Sequence, residues 1–178
     1  MNNSQGSAYH SEGNDYRTIE QTMEKLSGGT RRLAAQLTTT ATFDSLWNVL
    51  TDYDRLNLYI PNLLLSKKIY KKNNNVHLKQ VGAQDFLGIK FSGEVTIDLF
   101  EEKELGLLKF SLIKGDFRKF EGSWRIINNK DNSKNSLIYD LTVQGCQWMP
   151  IGMIEKRLKN DLSENLIAVD KQAKFSII

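Results

Sequence analysis

The chain has 178 residues, 40% hydrophobic and 25% charged, with a net charge of +3, a profile that excludes disordered, collagenous and strongly charged classes and suits one globular domain. A single cysteine, Cys146, excludes an intrachain disulfide, and no run approaches the roughly 18 apolar residues of a membrane-spanning helix. Residues 1–16 are polar and rich in Asn, Ser and Gly, which predicts a disordered tail ahead of a domain over 17–178. That tail lacks the basic start and apolar core of a secretory signal, so the cytoplasm is the expected compartment.

Residues 17–26 read as a short edge strand, although Ile19, Met23 and Leu26 also fit a helix face. Gly28 and Gly29 turn it back into residues 31–40, where Leu33, Ala35 and Leu37 alternate. Thr42 is placed to cap a helix carrying Phe43, Leu46, Trp47 and Leu50 at helical spacing. A second short helix is expected over 52–61, with Asp52 and Asp54 at its start and Pro61 at its end. The period then changes to two. Strands are predicted over 63–72 and 76–84, joined by an Asn turn, and over 89–99, where Phe91, Val95, Ile97 and Leu99 share a face. Further strands follow at 107–114, 117–127 and 136–145, with Phe110, Trp124 and Tyr139 on their apolar faces. Pro150 suits the first turn of a long helix. Its apolar stripe runs through Ile151, Ile154, Leu158, Leu162, Leu166, Val169 and Ala173, and its polar face includes Lys156, Ser163, Glu164, Asp170 and Lys171.

Catalytic constellations are sparse. Two histidines, His10 and His77, lie too far apart in kind and place to suggest a metal site. No nucleophile elbow, phosphate-binding glycine loop or dinucleotide fingerprint occurs, so neither a metal nor a cofactor is expected. Asp52 and Asp54 read as helix caps. Trp47, Trp124, Trp148, Phe91, Phe110, Phe120 and Tyr139 suit a core or an enclosed pocket better than a base-stacking surface. Gln80 and Gln84 share parity with Val76 and Leu78. Either that face points inward, placing two amides on the wall of an apolar pocket, or the opposite parity does and both glutamines meet water. Residues 1–29 carry −2 and the remainder +5, enough to assist contact with anionic lipid or nucleic acid without specifying either.

The run WNVLTDYDRLNLYIPNLLLSKKI resembles the opening helices and second strand of START-like polyketide cyclase/dehydrase proteins. GDFRKFEGSWRI, LIYDLTVQG and PIGMIEKRLKNDLSENLIAV resemble the last strands and closing helix of the same superfamily. The resemblance covers about residues 30–173 and is nearest to members from cyanobacteria and chloroplasts, with ubiquinone-binding proteins as relatives. It implies an α+β helix-grip fold, a curved antiparallel sheet wrapped around the long C-terminal helix, with two short helices after the first main strand. Between them lies a cavity for a lipid, isoprenoid, quinone or pigment. On that reading the cavity residues are Trp47, Tyr59, Gln80, Gln84, Phe91, Phe110, Trp124, Tyr139, Ile154, Leu158 and Leu162. The expected partner is a hydrophobic small molecule, with transient membrane contact and no specific nucleic acid; the oligomeric state is left open. One alternative is a cyclase or dehydratase using Tyr139, Asp52 or Glu94 as acid or base. Another is an interaction module for ribosomes or a membrane complex, built on Lys114, Arg118, Lys119 and Arg125 with Lys67, Lys68, Lys71 and Lys72.

Overall fold

The computed structural model describes residues 6–10, 17–86, 89–129, 134–146 and 151–175. Side chains at 6–10, 17–18, 84–86, 89–91, 129, 151–154 and 156–157 fall outside that description.

Nine strands form one curved sheet, every neighbouring pair antiparallel. They are β1 (Gly6–His10), β2 (Arg17–Lys25), β3 (Arg31–Thr39), β4 (Leu63–Lys72), β5 (Asn75–Phe86), β6 (Ile89–Glu102), β7 (Leu107–Gly115), β8 (Phe117–Asn129) and β9 (Lys134–Gly145). The described residues also form two α-helices, α1 (Phe43–Thr51) and α2 (Ile151–Phe175). The spatial order is β1-β2-β3-β9-β8-β7-β6-β5-β4. Three strands meander, α1 carries the chain across to the far edge, six strands meander back, and β9 closes against β3. This is the α+β helix-grip arrangement. Among the described residues, no helix is long and apolar enough to cross a membrane.

Local chemistry explains most of the boundaries. Gly28 and Gly29 adopt left-handed φ angles of 64° and 78° in the turn between β2 and β3, a conformation that costs glycine least. The Thr42 hydroxyl accepts the Ser45 N–H at 3.1 Å and starts α1. Gly122 on β8 is required for packing: a Cβ there would collide with the Asp140 carbonyl of β9 and lie 2.8 Å from the Phe110 ring.

Three expectations need correction. The tail over 1–16, read as disordered, contributes β1, which pairs with β2 from Gly6↔Gln21 to His10↔Arg17; β2 is therefore not an edge. The second helix is only a 3-10 turn, Leu56–Leu58, without a side-chain cap. Asp54 instead accepts the backbone N–H of Lys68 on β4 at 2.8 Å, and Asp52 ends α1. On α2, Ser163 and Asp170 are buried rather than solvated. Asp170 accepts the Thr39 hydroxyl of β3 and the Lys174 ammonium, the latter at 3.0 Å. A buried carboxylate held by a hydroxyl and a cation in this way avoids the cost of an unpaired charge.

The core lies on the concave side. Leu33, Leu37, Leu137, Leu141 and Val143 from β3 and β9 are buried with Leu162, Leu166, Val169 and Ala173 of α2. The helix packs chiefly on β3, β9, β2 and α1. Polar ties hold it there: Gln21 donates to the Lys159 carbonyl at 2.8 Å, and Arg31 donates to Glu155 at 2.6 Å.

Candidate functional site

Strand register assigns each residue to a face. Gly122↔Leu141, Trp124↔Tyr139 and Ile126↔Leu137 place the even-numbered residues of β8 on the concave side. Phe110↔Gly122 and Leu99↔Phe110 extend that face to β7 and β6. Val76↔Leu99, Leu78↔Ile97 and Gln80↔Val95 bring it to β5. Since Val76 and Leu78 are fully buried, the parity they share with Gln80 points inward. Gln80 is half-buried, its amide 3.4 Å from the Ser66 hydroxyl, which itself donates to the Tyr53 carbonyl at 2.6 Å. The parity left open by the sequence is thus the inward one, and Gln80 is a polar group on an apolar wall. Gln84 is paired with Phe91 in the β5–β6 register, but both side chains, like those of Ile154 and Trp148, lie outside the described residues.

At the centre of the concave face is an aromatic cluster. The rings of Trp124 and Tyr139 stack with centroids 4.0 Å apart and planes 9° from parallel. Phe110 lies 6.2 Å from Tyr139 and 5.6 Å from Phe120, and Phe117 lies 5.5 Å from Phe120. The cluster follows from a fork in the sheet. Strands β7 and β8 pair only between Leu107↔Arg125 and Ser111↔Glu121. Beyond that, β7 stays with β6 while β8 stays with β9. The corner is tied back where the Asp116 carboxylate accepts the Glu94 N–H at 2.7 Å and the Asp116 carbonyl accepts the Cys146 thiol at 2.6 Å.

Burial changes across this wall. Under α2 the side chains are closed off, whereas Leu112, Phe117, Phe120 and Trp124 are only partly buried although they pack against the core. From the helix side, Leu162 is 1% exposed and Leu158 is half-buried. Tyr139 is buried, and burial together with the nearby Asp161 charge raises its phenol well above the ordinary tyrosine range. Asp161 comes from α2, three residues after Leu158, and that spacing puts it on the inward side of the helix. The sequence pattern contained this clue, since Leu158, Asp161 and Leu162 share a face.

The other expected cavity residues have structural partners. Trp47 is buried on α1 and stacks with Phe43 at 6.3 Å. Tyr59 is half-buried and donates its hydroxyl to the Val49 carbonyl of α1 at 2.6 Å, with burial raising its pKa. Of the acid/base candidates, Glu94 faces outward in an ion pair with Lys79 at 2.8 Å, and Asp52 is 3.5 Å from Arg55; neither joins Tyr139. His77 is also on the outer face, 3.5 Å from Asp98. Of the basic residues, Lys119 pairs with Glu121 at 2.9 Å, and Lys114, Arg118 and Arg125 are exposed. No group of three or more metal-ligating side chains occurs among the described residues.

Residues 39–170 match the model of the family "Polyketide cyclase / dehydrase and lipid transport". No curated protein sequence matches the chain. Among solved structures, a STAR-related lipid transfer protein from Xanthomonas axonopodis is similar at 12% identity and a TM-score of 0.77, over 95% of this chain and 99% of that one. The Zhui aromatase/cyclase from Streptomyces sp. R1128 is similar at 15% identity and a TM-score of 0.71, over 84% and 96% of the two chains. Human StAR-related lipid transfer protein 5 is similar at 8% identity and a TM-score of 0.69, over 97% and 88%. At these identities the likeness is one of fold.

Proposed function

The chain belongs to the polyketide cyclase/dehydrase and lipid transport family, and on that footing we propose that it binds a hydrophobic small molecule between the sheet and α2. The observation that supports this most is the partly accessible aromatic wall. Phe117, Phe120 and Trp124 project to the side where a filled core would enclose them, yet they remain partly accessible. Close-packed interiors leave few such rings uncovered. An apolar ligand covering them gains roughly 25 cal/mol per Å² buried, before the costs of association. Phe117, Phe120, Trp124 and Leu158 supply apolar contacts, Phe110 and Tyr139 pack against those rings, and Gln80 supplies a hydrogen-bonding group. The relatives named for lipid transfer and for aromatic cyclisation fit a lipid, isoprenoid, quinone, pigment or polyketide-like ligand.

A second reading, cyclase or dehydratase chemistry, is favoured by one pair. Tyr139 is buried in the aromatic cluster, and burial together with the Asp161 charge raises its phenol above the ordinary tyrosine range. A phenol on the wall would donate a hydrogen bond to the carbonyl oxygen of a bound ketone. The test begins with the purified protein, extracted with organic solvent and analysed by mass spectrometry, then offered a fluorescent fatty acid. Co-purification of an apolar molecule, or saturable uptake of the probe, is expected. A protein that carries nothing and excludes the probe would overturn the binding reading. If a polyketide-like ketone is bound and returned unchanged, binding alone stands.

A further inference from the structure

Strand β4 is an edge of the sheet, with β5 on one side only. Exposed apolar side chains gather on it and beside it. Leu58, Leu64, Leu65, Ile69, Tyr70 and Phe100 are six of the eleven exposed large hydrophobic side chains among the described residues. Two β-bulges produce part of this. The register breaks between Leu63 and Leu65 and again between Lys68 and Tyr70, so Leu64 and Ile69 have no partner on β5. They are 62% and 56% exposed.

Charge is concentrated at the same place. Residues 56–84 contain five lysines and no aspartate or glutamate, although the whole chain carries only +3. Lys68, Lys71 and Lys79 reach carboxylates on other segments, Asp54, Glu101 and Glu94. Lys67 and Lys72 make no ion pair among the described residues. Lys72 borders an open cleft of about 570 Å³ with Tyr70, His77, Phe100 and the Asn73–Asn75 turn.

Lysines and bulges on an edge strand discourage pairing with another strand. A second copy laid against β4 would set lysine against lysine and find an interrupted ladder. That accounts for the charges but not for the leucines, Ile69 and Tyr70 beside them. Apolar side chains interleaved with unpaired ammonium groups match a surface that is anionic outside and apolar just beneath. We propose that the β4 edge docks on an anionic lipid bilayer. Leu64, Ile69 and Tyr70 enter the boundary between headgroups and acyl chains, and Lys67 and Lys72 meet the lipid anions. This docking is independent of the interior ligand: a protein with a filled core would still bind vesicles, and a ligand-binding protein need not.

The full chain is co-sedimented with vesicles of phosphatidylcholine alone, and with vesicles in which about one lipid in three is phosphatidylserine. Binding is expected only to the second, and it should weaken as salt rises from about 0.1 M to about 0.5 M. The double variant Lys67→Gln, Lys72→Gln should bind about thirty-fold more weakly. Leu64→Ser with Ile69→Ser should also weaken binding while leaving the thermal melt unchanged, because both side chains are exposed. Equal binding to both vesicles, binding to neither, or a lysine variant that binds like the wild type would each overturn the proposal. So would a solution dimer abolished by the Leu64 and Ile69 substitutions, which would give the edge to a second copy.

Discussion

Arg31 and Glu155 meet at 2.6 Å with side chains only 11% and 19% exposed, and Lys25 stands 3.5 Å from the same carboxylate. The hydrogen bond from Arg31, aided by the charges of Arg31 and Lys25, holds Glu155 below its ordinary value of 4.5. A carboxyl whose folded-state pKa is depressed stabilises the fold above its unfolded value and loses that contribution as pH falls through the folded one. Glu155→Gln should therefore melt below the wild type near neutrality, and the gap should close on acidification below about pH 4.5. Thermal melts of both proteins across that range check this; a gap that persists unchanged in acid would contradict it. Other single residues show how far sequence reaches. Gln80 could not be assigned a face, because parity alone does not say which side is inward; the burial of Val76 and Leu78 decides it. Asp170 and Ser163 read as solvated because they are polar, yet Asp170 lies four residues beyond Leu166, on the buried stripe. Helical position outweighed polarity there because Thr39 and Lys174 were available to satisfy the carboxylate. Nothing in the sequence names those partners, 131 residues away in the case of Thr39.

Among the elements, α2 connects packing to the proposed site. Its stripe was legible from spacing, and Leu162, Leu166, Val169 and Ala173 are buried accordingly. Leu158, one turn nearer the helix start, is only half-buried. The two leucines should respond differently to truncation. Leu162→Ala removes a side chain enclosed on all sides, at a cost of about 2–5 kcal/mol. Leu158→Ala should cost less, at the lower end of that range or beneath it, because its surroundings are already loosely filled. Fluorescent fatty-acid uptake should then change in the Leu158 variant more than melting does. Denaturant titration and probe uptake measured together on both variants check this. Equal large losses of stability, with no uptake by any of the proteins, would describe a filled core. The segment between α1 and β4 was less legible. Aspartates before an apolar run look like helix caps, but Asp54 is bound by a backbone N–H of β4, and the run closes as a single 3-10 turn.

For the molecule as a whole, alternation of apolar and polar residues made the strands from β3 to β9 readable, because a half-buried sheet imposes a period of two. The order of those strands in the sheet was not readable from alternation, which does not say which strands are neighbours. The first strand escaped because its composition is that of a disordered segment, and only its pairing with β2 gives it structure. This bears on where the folding unit begins. Strand β1 contributes five register pairs, all to β2. In contrast, β2 is fixed from its other side: Ile19↔Leu37 and Met23↔Leu33 tie it to β3, both Ile19 and Met23 are buried, and Gln21 reaches the Lys159 carbonyl. Hydrogen bonds at a sheet edge are worth about 1 kcal/mol each net of water, and ordering each residue costs about as much. Removing β1 therefore changes the balance little. A chain beginning at Arg17 should fold cooperatively and melt within about 4 °C of the full chain, where a difference of 1 kcal/mol shifts a protein of this size by about 2–4 °C. Its far-ultraviolet spectrum should differ only by the loss of one short strand, and its uptake of an apolar probe should be retained. If the truncated chain instead loses its cooperative transition, β1 is an obligatory strand and the folding unit starts within the first ten residues.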